Sequence, residues 1–180
     1  IASQRRALGR MPKDPICVKT IVTTDLTNRI AEEFGVEIKE ILTGFKYIGE
    51  QIGLLEEKGE VDRFILGFEE SYGYLAGPYV RDKDAVVGSM MICEMAAFYA
   101  TKGKSLVDVL NELYAKYGYY LCTQQSFAFE GETGMIEMQK IMSDLQANPL
   151  KELDSEKVVL YKDYQAQIAI DNRTGEKTST

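Results

Sequence analysis

The sequence predicts an α/β fold: a three-layer α/β/α domain around a mixed, largely parallel sheet, followed by a partial α+β segment. Three observations predict it. Short β-branched runs alternate with segments of helical period; glycines stand at the helix ends, at Gly35, Gly59 and Gly118; and the order β-α-β-α-β-loop-α leaves a helix between successive strands, as parallel pairing requires. The character of the chain changes after Gly118, so residues 1–118 are assigned to the first domain and 119–180 to a linker and the incomplete start of a second.

Ile1 to Leu8 reads as the tail of a helix stopped by Gly9. Pro12 and Pro15 punctuate a loop, and Ile16 to Thr23 (ICVKTIVT) has the β-branched density of a buried strand. A helix capped by Thr24 or Asp25 follows, with Leu26, Ile30 and Phe34 near helical period and Gly35 as its stop. Val36 to Leu42 alternates apolar and polar side chains, as a strand with one wetter face does. Thr43 and Gly44 turn the chain into a helix from Phe45 to about Lys58, striped by Ile48, Ile52 and Leu55. Arg63 to Gly67 is a third strand, and Phe68 to Lys83 is an ordered loop of a length that usually carries function. Asp84 caps an apolar helix from Ala85 to about Thr101, whose Met90, Met91, Met95 and Cys93 are expected to fill the core; Ser105 to Tyr117 is the next helix. Beyond Gly118, Tyr119 to Phe129 resembles a strand, Gly131 to Ala147 an amphipathic helix and Val158 to Tyr161 a short strand. The polar run from Asp171 is either a solvated hairpin or a severed end.

Composition narrows the chemistry. The chain of 180 residues contains no histidine, which excludes Ser-His-Asp and Cys-His relays and HExxH zinc sites within it. A net charge of −7 gives no general attraction to polyanions, so nucleic acid is a poor partner, although a local basic patch can still hold one phosphate. No stretch reaches the ~18 apolar residues of a membrane span. The three cysteines, Cys17, Cys93 and Cys122, are far apart and set among apolar neighbours, the pattern of reduced core thiols in a cytoplasmic protein.

In open α/β sheets ligands gather at the carboxyl ends of the strands, where three loops should face one cleft. These carry Thr23-Thr24-Asp25, Thr43-Gly44-Phe45-Lys46, and Gly67 to Gly73 continuing to Arg81-Asp82-Lys83-Asp84. Lys46 stands in the first turn of a helix, against the dipole; a ligand phosphate would offset that, and an exposed lysine with its charge in water is the plainer reading. In an extended segment Glu69 and Ser71 share a side, a carboxylate beside a hydroxyl suited to adjacent hydroxyls of a sugar, while Glu70 points away. The alternative is that Glu69 or Glu70 caps a helix or pairs with Arg81 or Lys83. Tyr72, Tyr74 and Tyr79 either pack on a sugar face or anchor the loop.

The run Gly67-Phe68-Glu69-Glu70-Ser71-Tyr72-Gly73, followed by Tyr79-Val80-Arg81-Asp82-Lys83-Asp84-Ala85, resembles the sugar-binding loop of the α-D-phosphohexomutases, the superfamily of phosphoglucomutases and phosphomannomutases. Leu42-Thr43-Gly44-Phe45-Lys46 resembles the Thr-Gly loop of the same third domain. The resemblance covers residues 1–118 as domain 3 and, more weakly, the rest as the start of domain 4. It implies that Glu69 and Ser71 bind the sugar hydroxyls at positions 3 and 4, that Thr43 and Gly44 line the pocket, and that Lys83, with Arg81, neutralises the phosphosugar. It also implies reversible movement of phosphate between C1 and C6 through a bisphosphorylated sugar, with an active-site phosphoserine, Mg²⁺ and a sugar bisphosphate activator.

No phosphoserine loop like TASHNP, metal loop like DGDADR or phosphate loop like RPSGTEP occurs in the chain. The expectation is therefore an inactive, sugar-gripping fragment, whose other partners are the remaining domains of the same polypeptide. The tyrosine-rich loop looks closest to bacterial enzymes acting on glucose phosphates. Phosphomannomutase and phosphopentomutase remain alternatives within the superfamily, and a non-catalytic α/β interaction module is the alternative outside it.

Overall fold

The computed structural model describes residues 1–123 and 126–179. The chain forms two compact units, Ile1–Gln124 and Gln125–Thr180. In the first, the elements in order are α1 (Ala2–Ala7), β1 (Ile16–Thr20), α2 (Leu26–Phe34), β2 (Glu37–Ile41), α3 (Phe45–Glu57), β3 (Phe64–Phe68), β4 (Tyr74–Leu75), α4 (Ala85–Ala100) and α5 (Leu106–Tyr117). The sheet order is β2-β1-β3-β4, with β1 parallel to both neighbours and β4 antiparallel to β3. A mixed, largely parallel sheet is thus the frame, as the sequence predicts.

Strand β1 is buried along its whole length, as a strand covered on both faces must be. Its alternation divides the core. Ile16 and Val18 join Phe45, Ile48, Ile52 and Leu55 of α3 on one face, while Cys17 joins Ala31, Val36 and Ile65 on the other. Helix α3 approaches β3 closely because Gly67 has no side chain: a Cβ there would lie 2.5 Å from Ile48 Cγ2. Gly35 ends α2 with a φ of 62°, the left-handed conformation that favours glycine.

The structure differs from the sequence-based expectations at several places. The first strand ends at Thr20 instead of Thr23, because the Thr23 N–H donates to the Thr20 carbonyl at 3.0 Å and closes a turn. The long loop after β3 contains β4, paired in the register Gly67 to Leu75 and Phe68 to Tyr74. The methionines of α4 do not fill the core: Met90, Ile92, Cys93 and Met95 are exposed, Met91 is half-buried, and Gly88 is the helix's one buried residue. The helix seats Gly88 on the Tyr74 ring at the sheet edge, and an apolar cavity of about 340 Å³ remains beneath it, lined in part by Ile30, Ile65, Leu66, Phe68 and Met91. Of the cysteines only Cys17 is buried; Cys93 and Cys122 are exposed.

The second unit contains α6 (Gly131–Ala147), the hairpin of β5 (Glu152–Leu153) and β6 (Glu156–Lys157), and a three-stranded antiparallel sheet of β7 (Leu160–Asp163), β8 (Ile168–Asp171) and β9 (Lys177–Ser179). The strand expected over Tyr119 to Phe129 is absent from its described residues; Gln124 and Gln125 lie outside them. Its exposed Tyr119, Leu121 and Phe127 have no strand partner to cover them. The polar run from Asp171 folds as a hairpin through Ser179, where the Arg173 guanidinium holds the Asp171 carboxyl down at about 2.

Candidate functional site

Because β2, β1 and β3 run parallel and adjacent, their carboxyl ends bring three loops to one edge of the sheet. The loop after β2 ends at Gly44, which stands at the N-terminus of α3 with a φ of 129°, a backbone that side-chain-bearing residues rarely adopt. Phe45, buried in the core beside Ile48, anchors that turn.

The loop after β3 is a tight hairpin into β4, closed by the Glu69 N–H donating to the Gly73 carbonyl at 2.9 Å. Gly73 is required by crowding, since a Cβ there would lie 3.0 Å from Glu69 Oε2 and 3.1 Å from the Phe45 ring. Tyr72 adopts a φ of 63° at the tip with its ring exposed. The extended geometry predicted for residues 69–71 is therefore corrected to a turn, and the simple alternation of side chains does not apply there.

Within this turn Glu69 is buried, and its Oε1 accepts a hydrogen bond of 3.0 Å from the Gly44 N–H. An amide at a helix N-terminus is a natural partner for a carboxylate. The two sequence-predicted loops therefore meet at Glu69 and Gly44. Lys83 joins them from the far end of the hairpin, its Nζ 5.7 Å from the centre of the Phe45 ring. Thr43 is exposed on the same turn and Ser71 on the hairpin tip, where, among the described residues, its hydroxyl has no hydrogen-bond partner. Arg81 faces elsewhere: it pairs with Glu56 of α3 and donates to the Pro78 carbonyl at 2.8 Å. Lys46 is exposed, with its Nζ 4.8 Å from the centre of the Tyr47 ring.

The hairpin is tied back to α4. Asp84 Oδ1 accepts from the Val87 N–H and Oδ2 from the Tyr79 hydroxyl, both at 2.9 Å, and those donors hold its carboxyl below the usual carboxylate range. Tyr79 is thus an anchor of the loop. Sequence reasoning missed two residues of β1, Lys19 and Thr20. Both are wholly buried at the carboxyl end of the strand; Lys19 Nζ contacts Asp25 and Glu40, and the Thr20 hydroxyl reaches Glu70 at 2.8 Å. A lysine inside an otherwise apolar run was the available signal.

The Mg²⁺ implied by the resemblance finds no fit here: among the described residues, no three carboxylate or thiol groups gather to hold a metal ion. What the arrangement offers is a carboxylate with a free oxygen, a hydroxyl and an ammonium group around one turn.

Residues 1–117 match the family described as phosphoglucomutase/phosphomannomutase, alpha/beta/alpha domain III. The chain belongs to this family. Among the relatives of this chain, a phosphoglucomutase of Staphylococcus aureus (strain MRSA252) is 38% identical over 149 residues, covering 83% of this chain and 26% of the relative. A phosphoglucomutase of Staphylococcus haemolyticus (strain JCSC1435) is 34% identical over 155 residues, 86% of this chain and 28% of that protein. The chain thus spans about a quarter of the length of these relatives. A solved structure from Thermus thermophilus, assigned as a phosphomannomutase, aligns with a TM-score of 0.49 at 26% identity over 65% of this chain and 24% of that one. No described helix is long and apolar enough to cross a membrane.

Proposed function

We propose that this chain supplies the sugar-recognising part of a phosphoglucomutase, which interconverts glucose 1-phosphate and glucose 6-phosphate through a bisphosphorylated sugar. The observation that carries this reading is the Glu69 carboxylate held on the Gly44 amide, which joins the Thr-Gly turn to the Glu-Glu-Ser hairpin. With Oε1 so occupied, Glu69 Oε2 is left to accept a hydrogen bond from a sugar hydroxyl. The Ser71 hydroxyl, able to donate and accept, meets the adjacent hydroxyl, and Thr43 and Gly44 form the wall beside them. Lys83 supplies positive charge toward the phosphate. Arg81 contributes only by leaving Glu56, whereas Lys83 is held by a looser contact with Asp82, 3.6 Å from its Nζ, so the part of Arg81 is secondary.

On this reading the phosphosugar is the ligand, the remaining domains of the same polypeptide are the protein partner, and the setting is cytoplasmic. The phosphoserine, the Mg²⁺ that neutralises charge in phosphoryl transfer and the site for the bisphosphate activator belong to those other domains. Phosphoglucomutase is preferred to phosphomannomutase because the relatives at 38% and 34% identity carry that name.

The test is Glu69→Ala combined with Ser71→Ala in the full-length enzyme carrying this domain. Turnover of glucose 1-phosphate in a coupled assay should fall by roughly 10²-fold or more, with the melting curve retained, because misplacing a sugar loses the orientation on which phosphoryl transfer depends. Unchanged kinetics would sink the assignment and return these loops to the role of a protein-interaction surface.

A further inference from the structure

The proposed sugar ligands stand on a turn, and a turn at a hairpin tip needs something to hold it. Glu69 and Glu70 are consecutive carboxylates gripped from two sides. Glu69 is taken by the Gly44 amide after β2, and Glu70 Oε2 accepts from the Thr20 hydroxyl, at 2.8 Å, at the end of β1. The Thr20 oxygen also lies 2.9 Å from Thr23 Oγ1, and both threonines are buried.

Each hydroxyl has one proton, which fixes the direction of this chain of bonds. An ionised carboxylate only accepts, so Thr20 spends its proton on Glu70. The Thr20 oxygen must then accept from Thr23, and the order is Thr23 to Thr20 to Glu70. Hydrogen bonds in series polarise one another, and the last one here ends on a charge. The buried Thr23 is itself held in place, since its carbonyl accepts from Lys19 Nζ at 3.0 Å and its N–H donates to the Thr20 carbonyl.

We propose that Thr20, oriented by Thr23, is a positioning residue that clamps the hairpin tip through Glu70, so that Glu70 holds Glu69 and Ser71 in place and is not itself a sugar ligand. The proposal rests on the sugar-binding reading above. The clamp acts on the peptide joining Glu69 to Glu70. When Thr20 holds one side and Gly44 the other, the Glu69 carboxylate and the Ser71 hydroxyl keep one relative placement before any sugar arrives. Such preorganisation improves affinity by reducing the ordering that binding would otherwise demand.

The experiment uses the 180-residue chain labelled with ¹⁵N, read by amide hydrogen exchange and by titration with glucose 1-phosphate. In Thr20→Val the Gly44 and Glu69 amides should exchange about tenfold faster and the sugar phosphate bind about tenfold more weakly, the effect of losing one charge-assisted hydrogen bond. Thr20→Ser, which keeps the donor, should restore both. Because Thr20 is buried, the same loss is sought in Glu70→Ala at the exposed end of the clamp, with Glu70→Gln, which keeps an accepting oxygen, near wild type. Melting temperatures of the Glu70 variants should stay together, which separates positioning from general destabilisation. Unchanged Gly44 and Glu69 exchange in both Thr20→Val and Glu70→Ala overturns the clamp. Lost binding with unchanged exchange in Glu70→Ala makes Glu70 a direct ligand and also overturns it. If the unaltered chain shows no response to glucose 1-phosphate, the sugar reading fails on its own, and the exchange data still decide whether the clamp exists.

Discussion

A lysine wholly buried in a parallel sheet is a residue with much to lose. Lys19 Nζ meets the Thr23 carbonyl at 3.0 Å, Asp25 Oδ1 at 2.8 Å and Glu40 Oε1 at 3.3 Å, with the Thr24 carbonyl at 3.5 Å, so each of its three protons has an acceptor within reach. Its partners are not equivalent. The Asp25 side chain is 70% exposed and water can replace the lysine there, whereas the Glu40 side chain is only 21% exposed. Lys19→Met should therefore cost about 2–4 kcal/mol in urea unfolding, because it takes the ammonium from the buried Thr23 carbonyl and from the mostly covered Glu40, while Asp25 returns to water. Asp25→Ala should cost less than Lys19→Met, because the Thr23 carbonyl and Glu40 still accept from the buried ammonium. Cys17, two residues earlier on the same strand, behaves differently. Burial pushes its thiol from an ordinary 9.0 up to about 12. A raised acid is favoured neutral in the folded state, so its contribution is complete below pH 9 and is lost toward pH 12, the window in which only the unfolded chain ionises. Stability should fall there by up to about 1.4 kcal/mol per pH unit, and by less in Cys17→Ala. An equal decline in both proteins would place the pH dependence elsewhere.

At the scale of elements, α3 is the piece that places the candidate site, because Gly44 and Phe45 begin it and Ile48 seats it on β3. That seat depends on Gly67, where an added methyl would meet Ile48 Cγ2 at 2.5 Å. Gly67→Ala should destabilise the chain by about 1–3 kcal/mol, the usual cost of overpacking, and should weaken glucose 1-phosphate binding as well, since α3 carries Gly44 with it. Loss of stability with full retention of binding would detach the site from this contact. Helices α2 and α3 were legible in the sequence because each has one apolar stripe and a glycine stop. Helix α4 was legible as a helix, from its Asp84 cap, but not in its facing: apolar residues on every side name no inward stripe. The β5–β6 hairpin went unseen because two-residue strands such as Glu152–Leu153 leave no alternation to read. For the site, glycines beside a carboxylate in strand-terminal loops were informative, and the parallel strands place both loops at one edge of the sheet; the direct contact of Gly44 with Glu69 comes from the start of α3 and the turn at 69–73, because β1 lies between β2 and β3. The clamp was not legible. Thr20 reads as an ordinary strand residue, and only the turn at 69–72 sends Glu70 toward it.

The whole molecule distributes its buried surface unevenly, and that bears on where the site's rigidity comes from. Strand β1, helix α3 and strand β3 supply most of the wholly buried side chains, among them Ile16, Val18, Ile48, Ile52 and Ile65. In the second unit Ala169 is the only buried hydrophobic side chain among the described residues, and Met135, Ile136, Leu153 and Leu160 are exposed. Protection against exchange scales with the apolar burial that opening must undo. Amides of β1, β3 and α3 should accordingly exchange only through unfolding of the first unit, while those of β7, β8 and β9 should exchange through an opening that is cheaper and less dependent on denaturant. Exchange followed by mass spectrometry over a urea series reads this directly. If the amides of Ile168–Asp171 were as protected as those of Ile16–Thr20 and shared their urea dependence, the chain would be one cooperative body, and the stability of the candidate-site loops would draw on the second unit too. If they separate as expected, Glu69 and Gly44 rest on the persistent part of the chain. Thr20, at the end of its most buried strand, is then the point where core stability is passed to the hairpin tip.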